Sequence, residues 1–126
     1  MSNPAPQTSP EDVNGKLHDL LAGLWTRSRK SIDERMRILY TSLRALRINP
    51  ADAAARRAGA DNAHKLAGIL GTFGLPDGTG IARRIEVELD AGTPLLPLDL
   101  DAMERTIQQL EQMIEDKSRD VEKRRS

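Results

Sequence analysis

The chain has 126 residues, enough for one domain with a buried core, and its 19 basic and 19 acidic side chains balance to a formal net charge of zero. This balance provides no general attraction to nucleic acid or anionic membranes, and 2% aromatic residues argue against stacking of single-stranded bases. The lack of cysteine excludes disulfides and thiolate chemistry. Because no apolar run approaches the roughly 18 residues of a membrane span, we expect a soluble, cytoplasmic protein.

The first part of the chain predicts an arm followed by two helices. Residues 1–12 are polar and proline-rich, which predicts a disordered N-terminal arm. A short amphipathic helix then carries four leucines: Leu17, Leu20, Leu21 and Leu24. A second helix has apolar residues alternately four and three apart: Ile32, Met36, Leu39, Leu43 and Leu46. Ser31 and Glu34 have capping-box spacing, which favours a break near residues 26–31, although a single continuous helix fits nearly as well.

Proline and glycine bound the next two helices. The third helix starts at Asn49-Pro50, since asparagine caps well and proline suits a first helical turn, and it runs to about Phe73. Residues 74–78 form a tight turn. The fourth helix buries apolar residues at helical spacing and ends at residues 91–94. These apolar residues are Ile81, Ala82, Ile85 and Leu89.

The last predicted helix repeats the same seam spacing. Its apolar residues are Leu100, Met103, Ile107, Leu110 and Ile114. Its extension, residues 117–126, is charged with little apolar surface, so we expect this tail to fray. No segment alternates in the way of a β-strand. The fold class is therefore all-α: an antiparallel up-down four-helix bundle over residues 13–116 with an additional short N-terminal helix.

One histidine in the third helix stands on a face without bulky neighbours. At about 100° per residue, His64 lies roughly 160° around the helix from Leu66, so its ring points at water. The residues predicted to share its face are Ala60, Asp61, Ala67, Gly68 and Gly71. Each glycine costs a helix about 1 kcal/mol relative to alanine. Their presence predicts that a partner approaches the imidazole closely; close packing between helices is the alternative.

The pattern Ala63-His64-x-Leu66-x-Gly68, followed by Phe73-Gly74 and by Ala82-x-x-Ile85-Glu86, resembles the histidine-containing phosphotransfer (HPt) domain family over roughly residues 15–115. The resemblance implies a helical bundle that carries a phosphoryl group between aspartates of response-regulator receiver domains, with His64 as the phosphorylated residue and Gly68 beside it. It also implies receiver partners, including those of hybrid histidine kinases, which would supply the Mg²⁺. The expected protein is a phosphocarrier rather than an enzyme, a monomer, and free of cofactors of its own.

The sequence departs from this family at the position three residues after the histidine. The family usually has lysine there, whereas this chain has Ala67 and carries Lys65 beside the histidine. Lys65 lies about 100° from His64 around the helix and is long enough to bend toward a phosphoryl group. Arg83 and Arg84 on the next helix are the alternative cations. The residues assigned to partner docking are Ala60, Asp61, Ala67, Gly71, Arg83 and Arg84.

The chemistry also follows from the side chain alone. An exposed imidazole is substantially neutral at cytoplasmic pH, so one ring nitrogen keeps a free lone pair. This nitrogen can attack an acyl phosphate, for which positioning and charge neutralisation are enough. Asp61, one turn before His64, either orients the ring or supports solubility. His18 lies between charged residues with no such face and is interpreted as ordinary surface.

Other functions are less well supported by the residues. A non-catalytic helical adaptor, binding a receiver or another helical partner without phosphorylation, is favoured by Ala67. A domain fed by a chemotaxis-type kinase is weakened because no kinase region follows, and the initial Met1 and charged C-terminal end favour a stand-alone protein. The two histidines are 46 positions apart and no cysteine is present, so no metal site is expected. The sequence also lacks a phosphate-binding glycine loop, so no ATP site is expected. Basic clusters interleaved with acids predict solvated faces rather than nucleic-acid binding.

Overall fold

The computed structural model describes residues 10–125. This part of the chain forms four helices: α1 (Pro10–Ile48), α2 (Ala53–Thr72), α3 (Pro76–Asp90) and α4 (Pro97–Arg125). No β-strand occurs among the described residues, which confirms the all-α fold class. Residues 1–9 of the predicted arm lie outside the described residues. Residues 10–12, also assigned to that arm, already belong to α1.

The first helix is continuous, so the break predicted near residues 26–31 and the separate N-terminal helix are wrong. No glycine or proline occurs between residues 26 and 31 to end a helix. The buried side continues across this segment, from Trp25 at 1% exposure to Ile32 at 0%. Ser31, expected to begin a new helix, is an exposed residue in the interior of α1. The continuous helix, which fitted the sequence nearly as well, is the form that occurs.

The last helix also continues past its predicted end. α4 runs to Arg125, well beyond the boundary expected at residue 116. Two residues of this extension pack against the bundle. Ser118 Oγ accepts a hydrogen bond from Trp25 Nε1 at 2.9 Å, and Val121 is buried, at 6% exposure. These contacts attach the charged extension to α1. The expectation of a fraying tail does not describe residues 117–121.

Contacts between neighbouring helices pair the start of one with the end of the other. Along α1 and α4, Trp25 contacts Ser118, while Arg47 lies 2.9 Å from Asp101. The largest fully buried side chains fill the space enclosed by all four helices, and burial of each contributes on the order of 1.5–3 kcal/mol. They are Trp25, Ile32, Leu39, Leu46, Leu66, Leu70, Ile85, Met103, Ile107, Leu110 and Ile114.

Helices α2 and α3 approach each other closely at glycines other than those on the histidine face. A Cβ added at Gly59 would lie 2.8 Å from Cδ1 of Leu89, and one at Gly78 would lie 3.1 Å from Cδ1 of Leu70. Real Cβ atoms are almost never found as close as the first of these distances. Gly59 and Gly78 are therefore the residues that permit the tight α2–α3 packing on which the histidine site depends.

Two polar ties fix the register between α2 and α3. Near the start of α2, the Arg56 guanidinium donates to the carbonyl oxygens of Leu89 at 3.0 Å and Thr93 at 2.8 Å. Near the other end of the pair, Thr79 Oγ1 donates to the carbonyl oxygen of Ala67 at 2.9 Å. The stretch of α2 between Arg56 and Ala67 contains His64.

Candidate functional site

His64 lies in the second half of α2 with its side chain 73% exposed. The backbone beneath it is regular helix from Ala53 to Thr72, begun by Asp52, whose side chain accepts a hydrogen bond from the Ala55 amide at 3.0 Å. On the opposite side of the same helix, Leu66 is fully buried. The apolar side of α2 packs into the core, so the His64 ring on the opposite side faces solvent.

One nitrogen of the His64 ring is occupied by a carboxylate on α3. His64 Nδ1 lies 2.9 Å from Glu86 Oε1, and the Glu86 side chain is only 23% exposed. An ionised carboxylate can only accept, so this contact assigns a proton to Nδ1. The other nitrogen, Nε2, then keeps its lone pair for reaction.

Glu86 was not predicted as a site residue. In the sequence it was noted only as the last residue of the pattern Ala82-x-x-Ile85-Glu86, while Asp61 was the candidate for orienting the ring. Among residues 10–125, the hydrogen-bond partner of the ring is Glu86, and Asp61 is an exposed residue of α2. A signal was present in the sequence, since burial of Ala82, Ile85 and Leu89 on α3 leaves Glu86 at the edge of the buried side.

Open backbone lies next to His64 at Gly68. Gly68 is exposed, and a Cβ added there would meet nothing within 4 Å. Gly71 is also exposed, and an added Cβ would make an ordinary contact of 3.5 Å with Thr79 Oγ1. Neither glycine is required for helix packing. Their arrangement leaves room for close approach to the ring.

Two residues assigned to the histidine face are buried instead. Ala60 is 3% exposed and Ala67 is 5% exposed. They lie about 40° and 60° around α2 from His64, on the flank that α3 covers, and the Ala67 carbonyl is tied to Thr79. Their assignment to partner docking is therefore wrong. The exposed face consists of His64 with Asp61, Gly68 and Gly71.

The three candidate cations occupy different surroundings. Lys65 is exposed on α2, and Arg83 is exposed on α3, three residues before Glu86 and so on a neighbouring part of its surface. Arg84 lies with Gln109 in an open groove between α3 and α4. Arg84 thus faces α4, whereas Lys65 follows the histidine on α2 and Arg83 lies about 60° around α3 from Glu86.

The described residues also bear on two other kinds of site. Within residues 10–125, no group of three or more His, Cys, Asp or Glu side chains is arranged to hold a metal ion. Over the same range, none of the four helices has a stretch long and apolar enough to cross a bilayer.

Comparison with known proteins identifies the family. The model of the Hpt domain family matches residues 23–120, so the chain belongs to this family and the resemblance found in the sequence is confirmed. Hpt domains are phosphocarrier modules of two-component systems that interact with receiver domains, and they are not enzymes. The chain accordingly has a role in two-component phosphotransfer.

The chain is also similar to part of a longer protein. Protein RcaC of Microchaete diplosiphon is 32% identical to the chain over 106 residues, which are 84% of this chain and 16% of that protein. The chain thus spans a small part of the length of this relative. No solved structure matches the chain.

Proposed function

We propose that His64 accepts a phosphoryl group from the aspartate of one receiver domain and passes it to the aspartate of another. The observation that carries this proposal is the exposed His64 ring, held through Nδ1 by Glu86 and bordered by the open backbone at Gly68. The proposal includes an antiparallel up-down arrangement of the four helices, which the reversed order of the cross-helix contacts supports. It assigns the chain to the cytoplasm and gives it no cofactor of its own.

The geometry supports a direct transfer to Nε2. The lone pair of Nε2 attacks the phosphorus of the aspartyl phosphate; the N–P bond forms, the P–O bond to the aspartate breaks, and its electron pair leaves on the aspartate carboxylate. No proton leaves the ring, because Nδ1–H stays bonded to Glu86. The ring therefore gains positive charge, which the carboxylate 2.9 Å away offsets. Transfer to the next receiver reverses these steps.

The partner supplies what this chain lacks. An acyl phosphate is already activated, so positioning and neutralisation of charge provide most of the acceleration. The receiver contributes its aspartate and bound Mg²⁺. In this chain, Lys65 is the residue we assign to contact the phosphoryl group, with Arg83, exposed on α3 near Glu86, as the second candidate.

Phosphotransfer from charged receivers tests the proposal. The chain is incubated with a panel of receivers carrying radiolabelled phosphate from acetyl phosphate or from a kinase, and acid-labile, base-stable label on this chain is measured. His64→Gln should keep the helical circular dichroism spectrum, since the ring is exposed, and should abolish labelling. His18→Gln, an exposed histidine on α1, should label as the unaltered chain does.

The same experiment separates the adaptor function. Binding of receivers without any label on the unaltered chain would support a non-catalytic adaptor, for which Ala67 in place of the family's lysine is the favouring feature. Labelling of His64→Gln at the unaltered rate would show that another residue accepts the phosphoryl group. Either outcome would overturn the proposed function.

A further inference from the structure

The first turns of α1, residues 10–20, contribute no buried side chain to the bundle, although His18 lies beside α4 in a pocket that Lys117 and Val121 also line. Every residue from Pro10 to Leu20 is exposed, and burial begins at Ala22. These residues are helical as an extension of the 39-residue α1 and gain no stability from burial, and Gly15 costs the segment about 1 kcal/mol relative to alanine. A partner that covers the segment would stabilise it.

An apolar stripe runs along this exposed segment. It consists of Val13, Leu17, Leu20 and Leu24, hereafter the α1 stripe, which are 50%, 51%, 57% and 37% exposed. Their spacing of four, three and four residues is that of the seam in a two-stranded coiled coil. They expose on the order of 300 Å² of apolar surface, comparable to the largest patch on a typical monomer, and such patches often mark interaction sites.

The α1 stripe lies on the side of α1 that faces α2. Leu17 is 18 residues, or five helical turns, before Arg35, so the two project in the same direction. Arg35 Nη1 donates to Asn62 Oδ1 of α2 at 3.1 Å. α2 ends at Thr72, and the next residue, Phe73, packs its ring against Trp25. This side of α1 is therefore not covered by α2 along residues 10–20. A helix seated on the α1 stripe would continue the line of α2.

We propose that the α1 stripe pairs with the α1 stripe of a second copy of this chain. The seam spacing fits a helix with the same spacing opposite it, which a second copy provides, and a twofold pair covers both stripes at once. A parallel partner would extend its bundle into the space occupied by α2. An antiparallel partner places its bundle at the far end of the segment, and it sets Val13 of each copy opposite Leu24 of the other.

The proposed dimer is weak. Two stripes with their flanking residues bury about 1,000 Å², the lower end for specific interfaces, and the test is set for a dissociation constant in the micromolar range. This inference replaces the monomer expected from the sequence. It does not depend on phosphorylation of His64, so its failure would leave the proposed phosphotransfer untouched.

Sedimentation analysis tests the dimer. Between about 5 and 500 µM, the mass of the unaltered chain should rise from that of one copy toward two. The double variant Leu17→Gln, Leu20→Gln keeps helix propensity and should raise the dissociation constant at least about 100-fold. Ile48→Gln is the matched control, because Ile48 is 88% exposed at the other end of α1, and it should change the constant less than about twofold.

Single cysteines test the orientation, since the chain has none of its own. Oxidation of an equimolar mixture of Val13→Cys and Leu24→Cys should yield the mixed disulfide as the main dimer. Predominant Val13→Cys homodimer would overturn the antiparallel arrangement. A mass of one chain at 500 µM would overturn the proposal. If the chain is monomeric at every concentration and Leu17→Gln, Leu20→Gln loses binding to a receiver, the α1 stripe binds the receiver instead.

Discussion

Glu86 Oε1 lies 2.9 Å from His64 Nδ1 across the interface of α2 and α3, and its side chain is three times less exposed than the ring it holds. A partly buried carboxylate is shielded from water and has a limited choice of positions. Its contact therefore sets both the tautomer and the direction of the imidazole. This relationship makes the reactivity of His64 a property of two helices.

Removal of this carboxylate should slow phosphoryl transfer. In Glu86→Ala the ring loses its orienting contact and the charge that offsets the developing imidazolium, so we expect a rate about tenfold lower, equivalent to roughly 1.4 kcal/mol. Glu86→Gln retains an acceptor for Nδ1–H and should recover part of the rate. Asp61→Ala is the control, with a rate within about twofold of the unaltered chain. Slow transfer by Asp61→Ala together with normal transfer by Glu86→Ala would reverse the assignment.

Bulk at Gly68 should obstruct the receiver while stabilising the helix. Gly68→Gln fills open space, so unfolding should cost about 0.5–1 kcal/mol more, and labelling by a charged receiver should fall at least about tenfold. Gly15→Gln gives the same gain in helix propensity far from the histidine and should label normally. Thermal unfolding and labelling rates are measured on both. A lower melting temperature for Gly68→Gln would mean that this glycine packs against a neighbour after all.

Substitution at Gly59 should have the opposite effect on stability. A Cβ there would lie 2.8 Å from Leu89 Cδ1 and 3.3 Å from Ser42 Cβ. Gly59→Ala should therefore destabilise the fold by about 1–3 kcal/mol, measured by urea unfolding, despite the better helix propensity of alanine. An increase in stability would show that the Leu89 methyl group, at the end of its side chain, moves aside at little cost.

Loss of the Lys65 charge should weaken contact with the phosphoryl group. A charge-assisted bond to phosphate contributes about 1.5–3 kcal/mol, and solvation of Lys65 favours the lower end, so Lys65→Ala should transfer roughly tenfold more slowly. Lys30→Ala removes an exposed lysine from α1 and should leave the rate unchanged. If Lys65→Ala transfers normally and Arg83→Ala does not, the cation is on α3.

The single tyrosine provides a pH-dependent test of the α1–α4 packing. Burial and then the charges of Glu111 and Glu104 raise the pKa of Tyr40 to about 12. Absorbance at alkaline pH should show a phenol midpoint well above the ordinary value near 10, and Glu111→Gln should lower it. The neutral phenol stabilises the fold fully below pH 10, and this contribution is lost as the pH rises toward 12. A midpoint near 10 in the folded chain would contradict this packing.

Glycine and proline after Phe73 marked the end of the third predicted helix, because these residues act locally. Its expected start at Asn49-Pro50 is wrong, since α2 begins at Ala53 after the N-cap Asp52. The third predicted helix was expected to end at about Phe73, and α2 ends at Thr72. The expected break before Ile32 failed because Ser31 and Glu34 show only that a cap is possible. Whether a helix stops there depends on the apolar side of α1, which continues without interruption through Trp25 and Ile32 to the core.

The errors at the site have a different origin. Helical spacing correctly put Ala67 close to His64 around α2. The spacing within α2 does not reveal how much of that side α3 covers, and α3 buries Ala67. The partner of the ring, Glu86, is 22 residues away, and its position depends on the register of α3 on α2. That register results from the ties of Arg56 and Thr79 together with the close contacts at Gly59 and Gly78, which residue spacing along one helix does not reveal.

The two ties between α2 and α3 have a consequence for how the site responds to different partners. Arg56 and Thr79 hold the helices near opposite ends of their shared length, with the ring and its carboxylate in between. A shift of α3 by one turn, about 5.4 Å, would have to break both ties as well as the packing at Gly59. Docking of a receiver therefore finds an acceptor that is already set, so differences in transfer rate among receivers should originate in the receivers and in the fit of their surfaces.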